Sequence, residues 1–140
     1  MLKLLVMADG SENSLRAAKF VLKSVSMCKD PMEIHLLNVQ HPFPGTVKLV
    51  AGEEAKRFHH DEGIKALDAT RKVLDAAGIK YAYHIGVGDI GETIAQYVKE
   101  KKIDQVVMGT RGMGSVANML LGSVATKVLH LVDVPVLLVK

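Results

Sequence analysis

The residues with the clearest chemical potential lie between Gly109 and Ser123. There the chain reads Gly109-Thr110-Arg111-Gly112-Met113-Gly114-Ser115, continues from Val116 to Leu121, and closes with Gly122-Ser123. Glycine carries no Cβ, so successive backbone N–H groups can turn toward one point. N–H groups arranged in this way form a nest for an anion. Gly122-Ser123 opens a helical pattern, and a helix start offers its unpaired N–H groups and the positive end of its dipole to a phosphate. The Ser123 hydroxyl adds a further donor. Two anion-binding devices on one segment suit a polyphosphate better than a single phosphate. A tight turn alone would explain Gly109 equally well, but it does not need Gly109, Gly112, Gly114 and Gly122-Ser123 together.

Two familiar motifs compete for this segment. A P-loop requires Gly-Lys-Ser/Thr after its glycines, and that triplet does not occur. Gly112-Met113-Gly114-Ser115-Val116-Ala117 fits the dinucleotide pattern G-x-G-x-x-A. That pattern normally follows the first strand, with an acidic residue closing the next one. Here it follows the fourth strand, and the last strand runs to Lys140 with no acid after it.

Positioning such a segment needs a sheet, and the apolar runs supply one. Strands are expected at Leu2–Ala8, Glu33–Val39, Lys80–Ile85, Asp104–Met108 and Val134–Val139. Uninterrupted runs such as Leu4 to Met7 and Val136 to Val139 suit strands covered on both faces. Tyr81 to Ile85 is less apolar and suits an edge. Helical spacing falls between the strands: Glu12 to Cys28 behind a capping Ser11, about Thr46 to Ala77 closed by Gly78, about Asp89 to Lys101, and a last helix starting near Ser123. Gly63 is expected to weaken or bend the second helix. The segment His41-Pro42-Phe43-Pro44-Gly45 reads as a loop. Strands alternating with helices predict an α/β three-layer sandwich, a five-stranded parallel sheet with helices on both faces, joined by right-handed crossovers.

The bulk properties agree. The 140 residues fit one domain spanning positions 1–140. Eighteen basic and 15 acidic residues are interspersed, so the net charge of +3 gives no polyanion footprint, and no nucleic-acid partner is expected. Lys99, Lys101 and Lys102 read as a solvated helix end. Cys28 is the only cysteine, which excludes an intrachain disulfide and suits a reducing compartment; near a helix end it reads as a small packing residue. No apolar run approaches the ~20 residues of a membrane span, and the opening strand lacks a signal-peptide layout. A cytoplasmic location is expected.

The spacing Gly109-x2-Gly112-x9-Gly122-Ser123 resembles the ATP-binding signature of the universal stress protein family. Val6-Met7-Ala8-Asp9-Gly10-Ser11-Glu12-Asn13-Ser14 is similar to that family's opening, Gly86-Val87-Gly88-Asp89 to its third-strand turn, Asp104 to Gly109 to its fourth strand, and Val134 to Val139 to its ending. The resemblance implies strand order 3-2-1-4-5, with a ligand crevice between the carboxyl ends of strands 1 and 4. It implies ATP as the ligand, with Gly112, Gly114, Ser115, Gly122 and Ser123 on the phosphates and Gly109 framing the turn. Asp9 would lie near the adenine or ribose, or on a phosphate-bound Mg²⁺ or Mn²⁺. The end of the second strand, Asn38 and Val39, would meet adenine largely through backbone. Ala8, Met108 and Val124 complete the implied contacts. Arg111 could pair with a phosphate or stand in solvent. A homodimer through Val136–Val139 is also implied.

No catalytic residue is assigned. Ser123, His130 and Asp133 suggest a triad on paper, but seven helical residues separate Ser123 from His130 by about 10 Å, beyond hydrogen-bond reach. His59 and His60 are adjacent, His35, His41 and His84 are scattered, and none is assigned to a metal. The leading expectation is a nucleotide-dependent regulatory or stress-response protein. The alternatives are a slow ATPase or nucleotidyl-transfer enzyme on the same fold, and a structural module with a vacant cleft.

Overall fold

The computed structural model describes residues 1–42, 52–111 and 121–140. Its elements are β1 (Leu2–Met7), α1 (Glu12–Met27), β2 (Met32–Gln40), α2 (Glu53–Ala76), β3 (Ala82–Val87), α3 (Ile90–Glu100), β4 (Gln105–Gly109), α4 (Ser123–Leu131) and β5 (Val136–Val139). The strands form one sheet in the order β3-β2-β1-β4-β5, and every pairing is parallel. This is the expected architecture and strand order.

The central strand explains why the sheet needs two helical layers. Alternate residues of a strand point to opposite faces. Leu4, Val6 and Ala8 join Ala17 and Val21 of α1 and Leu67 and Leu74 of α2 in one core. Leu5 and Met7 join Ile94 and Val98 of α3 and Ala125 and Val128 of α4 in the other. A strand buried on both sides must be apolar, and the buried part of β1, Leu4 to Met7, is.

Local chemistry sets the helix ends. Ser11 Oγ accepts the Ser14 N–H at 3.1 Å and starts α1, and Asp89 Oδ2 accepts the Glu92 N–H at 3.0 Å and starts α3. At the end of α2, the Ile79 N–H returns to the Leu74 carbonyl and the Gly78 N–H to Asp75, with Gly78 at φ +70°. This is the Schellman arrangement that a left-handed glycine favours.

Three expectations need correction: β3 and β5 each begin two residues late, at Ala82 and Val136, and Cys28 is not packed. β3 begins at Ala82, two residues after Lys80, because the chain is still closing α2 there: the Tyr81 hydroxyl donates to Asp75 Oδ1 at 2.8 Å. α2 begins at Glu53; the expected stretch Thr46–Ala51, with Phe43 to Gly45 of the expected loop, lies outside the described residues. Gly63 does not interrupt α2. A Cβ there would stand 2.7 Å from two carbons of the Ile85 side chain, so this glycine lets the helix press against β3. Cys28 is exposed at the end of α1 rather than packed.

Candidate functional site

The chain leaves β1 for α1 on one face of the sheet, and leaves β4 toward α4 on the other. β1 and β4 are neighbours, with Val6 opposite Val107, so the chain departs from their adjacent carboxyl ends to opposite faces, the topological switch point of the sheet. That is the position at which open α/β sheets bind ligands.

The β1 side of this position is a tight turn built on Asp9. Asp9 Oδ1 accepts the Ser11 N–H at 2.9 Å, the usual way an aspartate stabilises a turn two residues ahead. Gly10 has φ +86°, a conformation that side chains resist. Ala8, just before the turn, is held twice from β2. Its N–H donates to the Leu37 carbonyl at 3.0 Å, and its carbonyl accepts Asn38 Nδ2 at 2.8 Å. The Asn38 amide oxygen in turn accepts Gln40 Nε2 at 2.6 Å.

The β4 side is held with equal care. Thr110 is buried and donates its N–H to the Val139 carbonyl at 2.9 Å. Arg111, half-buried, donates its N–H to Asn13 Oδ1 at 2.7 Å. Gly109 packs directly on Asn13: a Cβ would stand 2.7 Å from Asn13 Cγ and 3.1 Å from its carbonyl carbon. The close approach of α1, and not the turn alone, requires glycine here.

The returning end of the segment is tied to the departing end. The Gly122 N–H donates to the Thr110 carbonyl at 2.6 Å, which sets the start of α4 beside the end of β4. α4 has no side-chain cap and no acidic residue in its first turn, and Ser123 is exposed there. The dipole's positive end is therefore left uncompensated by the helix's own residues.

The expected site residues divide into three groups. Asp9 follows β1, Gly109 ends β4 with Arg111 just beyond it, and Gly122 and Ser123 start α4 beside that end. Ala8, Val39 and Met108 are buried in the two cores, and Val124 is half-buried against one of them, so the three strand residues have only backbone to offer at their strand ends. Gly112, Gly114 and Ser115 lie outside the described residues. Sequence reasoning missed the roles of Asn13 and Asn38. Asn38 left a signal, an amide directly after the apolar pair Leu36-Leu37 of a strand; Asn13 left none, because Ser11 and Ser14 make a polar helix start unremarkable.

Nearby, Lys127 Nζ of α4 donates to Asp89 Oδ2 at 2.7 Å. This contact, with the Glu92 N–H, holds the Asp89 carboxyl below its ordinary range, and it raises the Lys127 ammonium. Farther down the same face, two of the scattered histidines meet: His35 Nδ1 and His84 Nε2 lie 2.9 Å apart, and His35 Nε2 reaches Glu33 Oε1 at 2.7 Å. Among the described residues, no group of three or more His, Cys, Asp or Glu is placed to hold a metal ion.

These features define an open, fully parallel α/β protein with its topological switch point between β1 and β4. The chain belongs to the universal stress protein family, whose model matches residues 1–140. It is 32% identical over 139 residues to universal stress protein MJ0531 of Methanocaldococcus jannaschii, covering 99% of this chain and 81% of that one. Among solved structures, MJ0577 of the same organism superposes with a TM-score of 0.82 at 29% identity, covering 99% of this chain and 95% of the other. A universal stress protein family member of Arabidopsis thaliana, solved with AMP bound, gives a TM-score of 0.70 at 23% identity, covering 100% and 92%.

Proposed function

We propose that this chain, read as one domain over residues 1–140, binds ATP in the crevice between β1 and β4 and acts as a nucleotide-dependent regulatory protein of the stress response. The observation that carries the reading is the bond from Gly122 to Thr110. It brings an uncapped helix start to the end of β4, where a phosphate would meet both the dipole and the N–H groups of the glycine segment. The AMP-bound relative supports the capacity of this fold for an adenine nucleotide.

In this reading Gly122, Ser123 and Val124 hold phosphate through the first turn of α4, together with Gly112, Gly114 and Ser115. Arg111 adds positive charge. Asp9 stands toward the adenine and ribose, or meets the phosphates through a bound Mg²⁺ or Mn²⁺. Ala8, Val39, Met108 and Gly109 contribute backbone. Binding, rather than hydrolysis, is the working step: occupancy changes the surface that a cytoplasmic partner meets.

Calorimetric titration with ATP and Mg²⁺ tests this. The parent protein should bind, and Gly122→Val should weaken ATP at least about tenfold, because a branched side chain then stands before the N–H groups. Stability should fall by no more than about 1 kcal/mol, the scale of an N-cap change. Equal ATP affinity in the two proteins would remove the site from this crevice, and no binding by the parent at millimolar ATP would sink the function.

A further inference from the structure

Asn13 lies in the first turn of α1, outside the residues to which the nucleotide reading gives a role. Its side chain is 7% exposed, and both ends of its amide are engaged. Nδ2 donates to the Val139 carbonyl at 3.0 Å, and Oδ1 accepts the Arg111 N–H at 2.7 Å. The two partners fix the amide's orientation, since the flipped form would face donor with donor and acceptor with acceptor.

Neither bond is needed to form the elements it touches. Ser11 already caps α1, and the Val139 carbonyl already accepts the Thr110 N–H at 2.9 Å. Burying an amide is costly unless it is fully bonded, so an apolar side chain would serve packing alone. What Asn13 adds is a grip on Arg111, the residue at which the glycine segment departs from the sheet. Gly109 makes that grip possible by leaving room for the amide.

We propose that Asn13 is a positioning residue for phosphate binding: by holding the Arg111 N–H, it fixes the Thr110–Arg111 peptide, whose carbonyl anchors the Gly122 N–H at the start of α4. Less ordering then remains to be done when phosphates arrive, and preorganisation of this kind raises affinity without a new contact. The inference rests on the nucleotide reading above and gives Asn13 no contact with the ligand.

The test compares Asn13→Ala, and Asn13→Ser as a second variant, with the parent protein. Affinities for ATP and for adenosine are measured side by side, together with amide hydrogen exchange. ATP should weaken about tenfold, equivalent to 1.4 kcal/mol, while adenosine stays within about twofold, since only phosphates meet the start of α4. The Arg111 amide should exchange faster, and the Ala8 amide, bonded to Leu37, should not. Unchanged ATP affinity, unchanged Arg111 exchange, or equal losses for ATP and adenosine would each overturn the proposal. So would failure of both variants to fold, which would assign Asn13 to the fold itself. A parent protein that binds neither ligand is a different outcome: it overturns the function reading, and this role falls with it.

Discussion

Lys102 is the one non-glycine residue among those described with a positive φ, +54°. It follows α3, where the Ile103 N–H returns to Val98 and the Lys102 N–H to Lys99, the same closure that Gly78 gives α2. The left-handed conformation costs a side-chain-bearing residue about 1–2 kcal/mol, and glycine there removes that strain at a smaller loss in unfolded-state entropy. Lys102→Gly should therefore stabilise the protein by roughly 0.5–1 kcal/mol, and thermal denaturation should show a rise of about 2–3 °C. A lower melting temperature would mean that the lysine side chain makes a contact worth more than the strain. At this scale, residues that act through backbone were legible in the sequence. Gly78 and Ser11 do what their types announce. Gly109 and Gly63 stand out in the sequence, but the neighbours that require them, Asn13 and Ile85, lie far along the chain and do not. Asn13 was invisible: its partners, Arg111 and Val139, lie 98 and 126 positions away.

The pairing of β2 with β3 brings a titratable cluster into one place. Glu33 Oε1 accepts from His35 Nε2, and a proton on either His35 Nδ1 or His84 Nε2 closes the 2.9 Å contact between the two rings. Lys3 reaches Glu33 at 3.9 Å, and the Tyr97 ring lies 5.5 Å from His84. Burial, then the charge of His35, then that of Lys101 on the end of α3, push the His84 imidazole below its ordinary value. A histidine depressed in the folded state takes up its proton more readily when unfolded. Stability should therefore hold above the unfolded value, about 6.5, and decline as pH falls below it until the folded value is reached. His84→Gln can donate to or accept from His35 and does not titrate, so its stability between pH 7 and 5 should fall less steeply in urea titrations. Equal slopes would assign the acid sensitivity elsewhere. The existence, type and chain order of the nine elements among the described residues were readable from apolar runs, caps and stops. The meeting of His35 with His84 was not, because it depends on strand register, which no local pattern encodes.

The sheet as a whole leaves two edges, and they differ. On β5 the Pro135 and Val139 carbonyls accept the Val106 and Thr110 N–H groups. Backbone groups alternate in direction along a strand, so Val136 and Leu138 point theirs away from β4. The N–H that Pro135 lacks would have faced β4, so this proline does not block the outer edge. All four β5 residues are only half-buried, and open apolar edges invite a second strand. The homodimer that the family resemblance implies would pair there, and Leu138→Pro, which removes an outward N–H, should shift sedimentation at micromolar concentration from dimer to monomer; a parent protein that sediments as a monomer would end the idea. The last consequence belongs to the bond between Thr110 and Gly122. It works as a clasp, closing the chain on itself whatever is strung between its ends. Lengthening such a closed segment is thermodynamically mild, about 0.6 kcal/mol for each doubling. Evolution, or an engineer, could exchange the contents of the clasp as a cartridge and leave the sheet intact, so that ligand choice and folding are inherited separately.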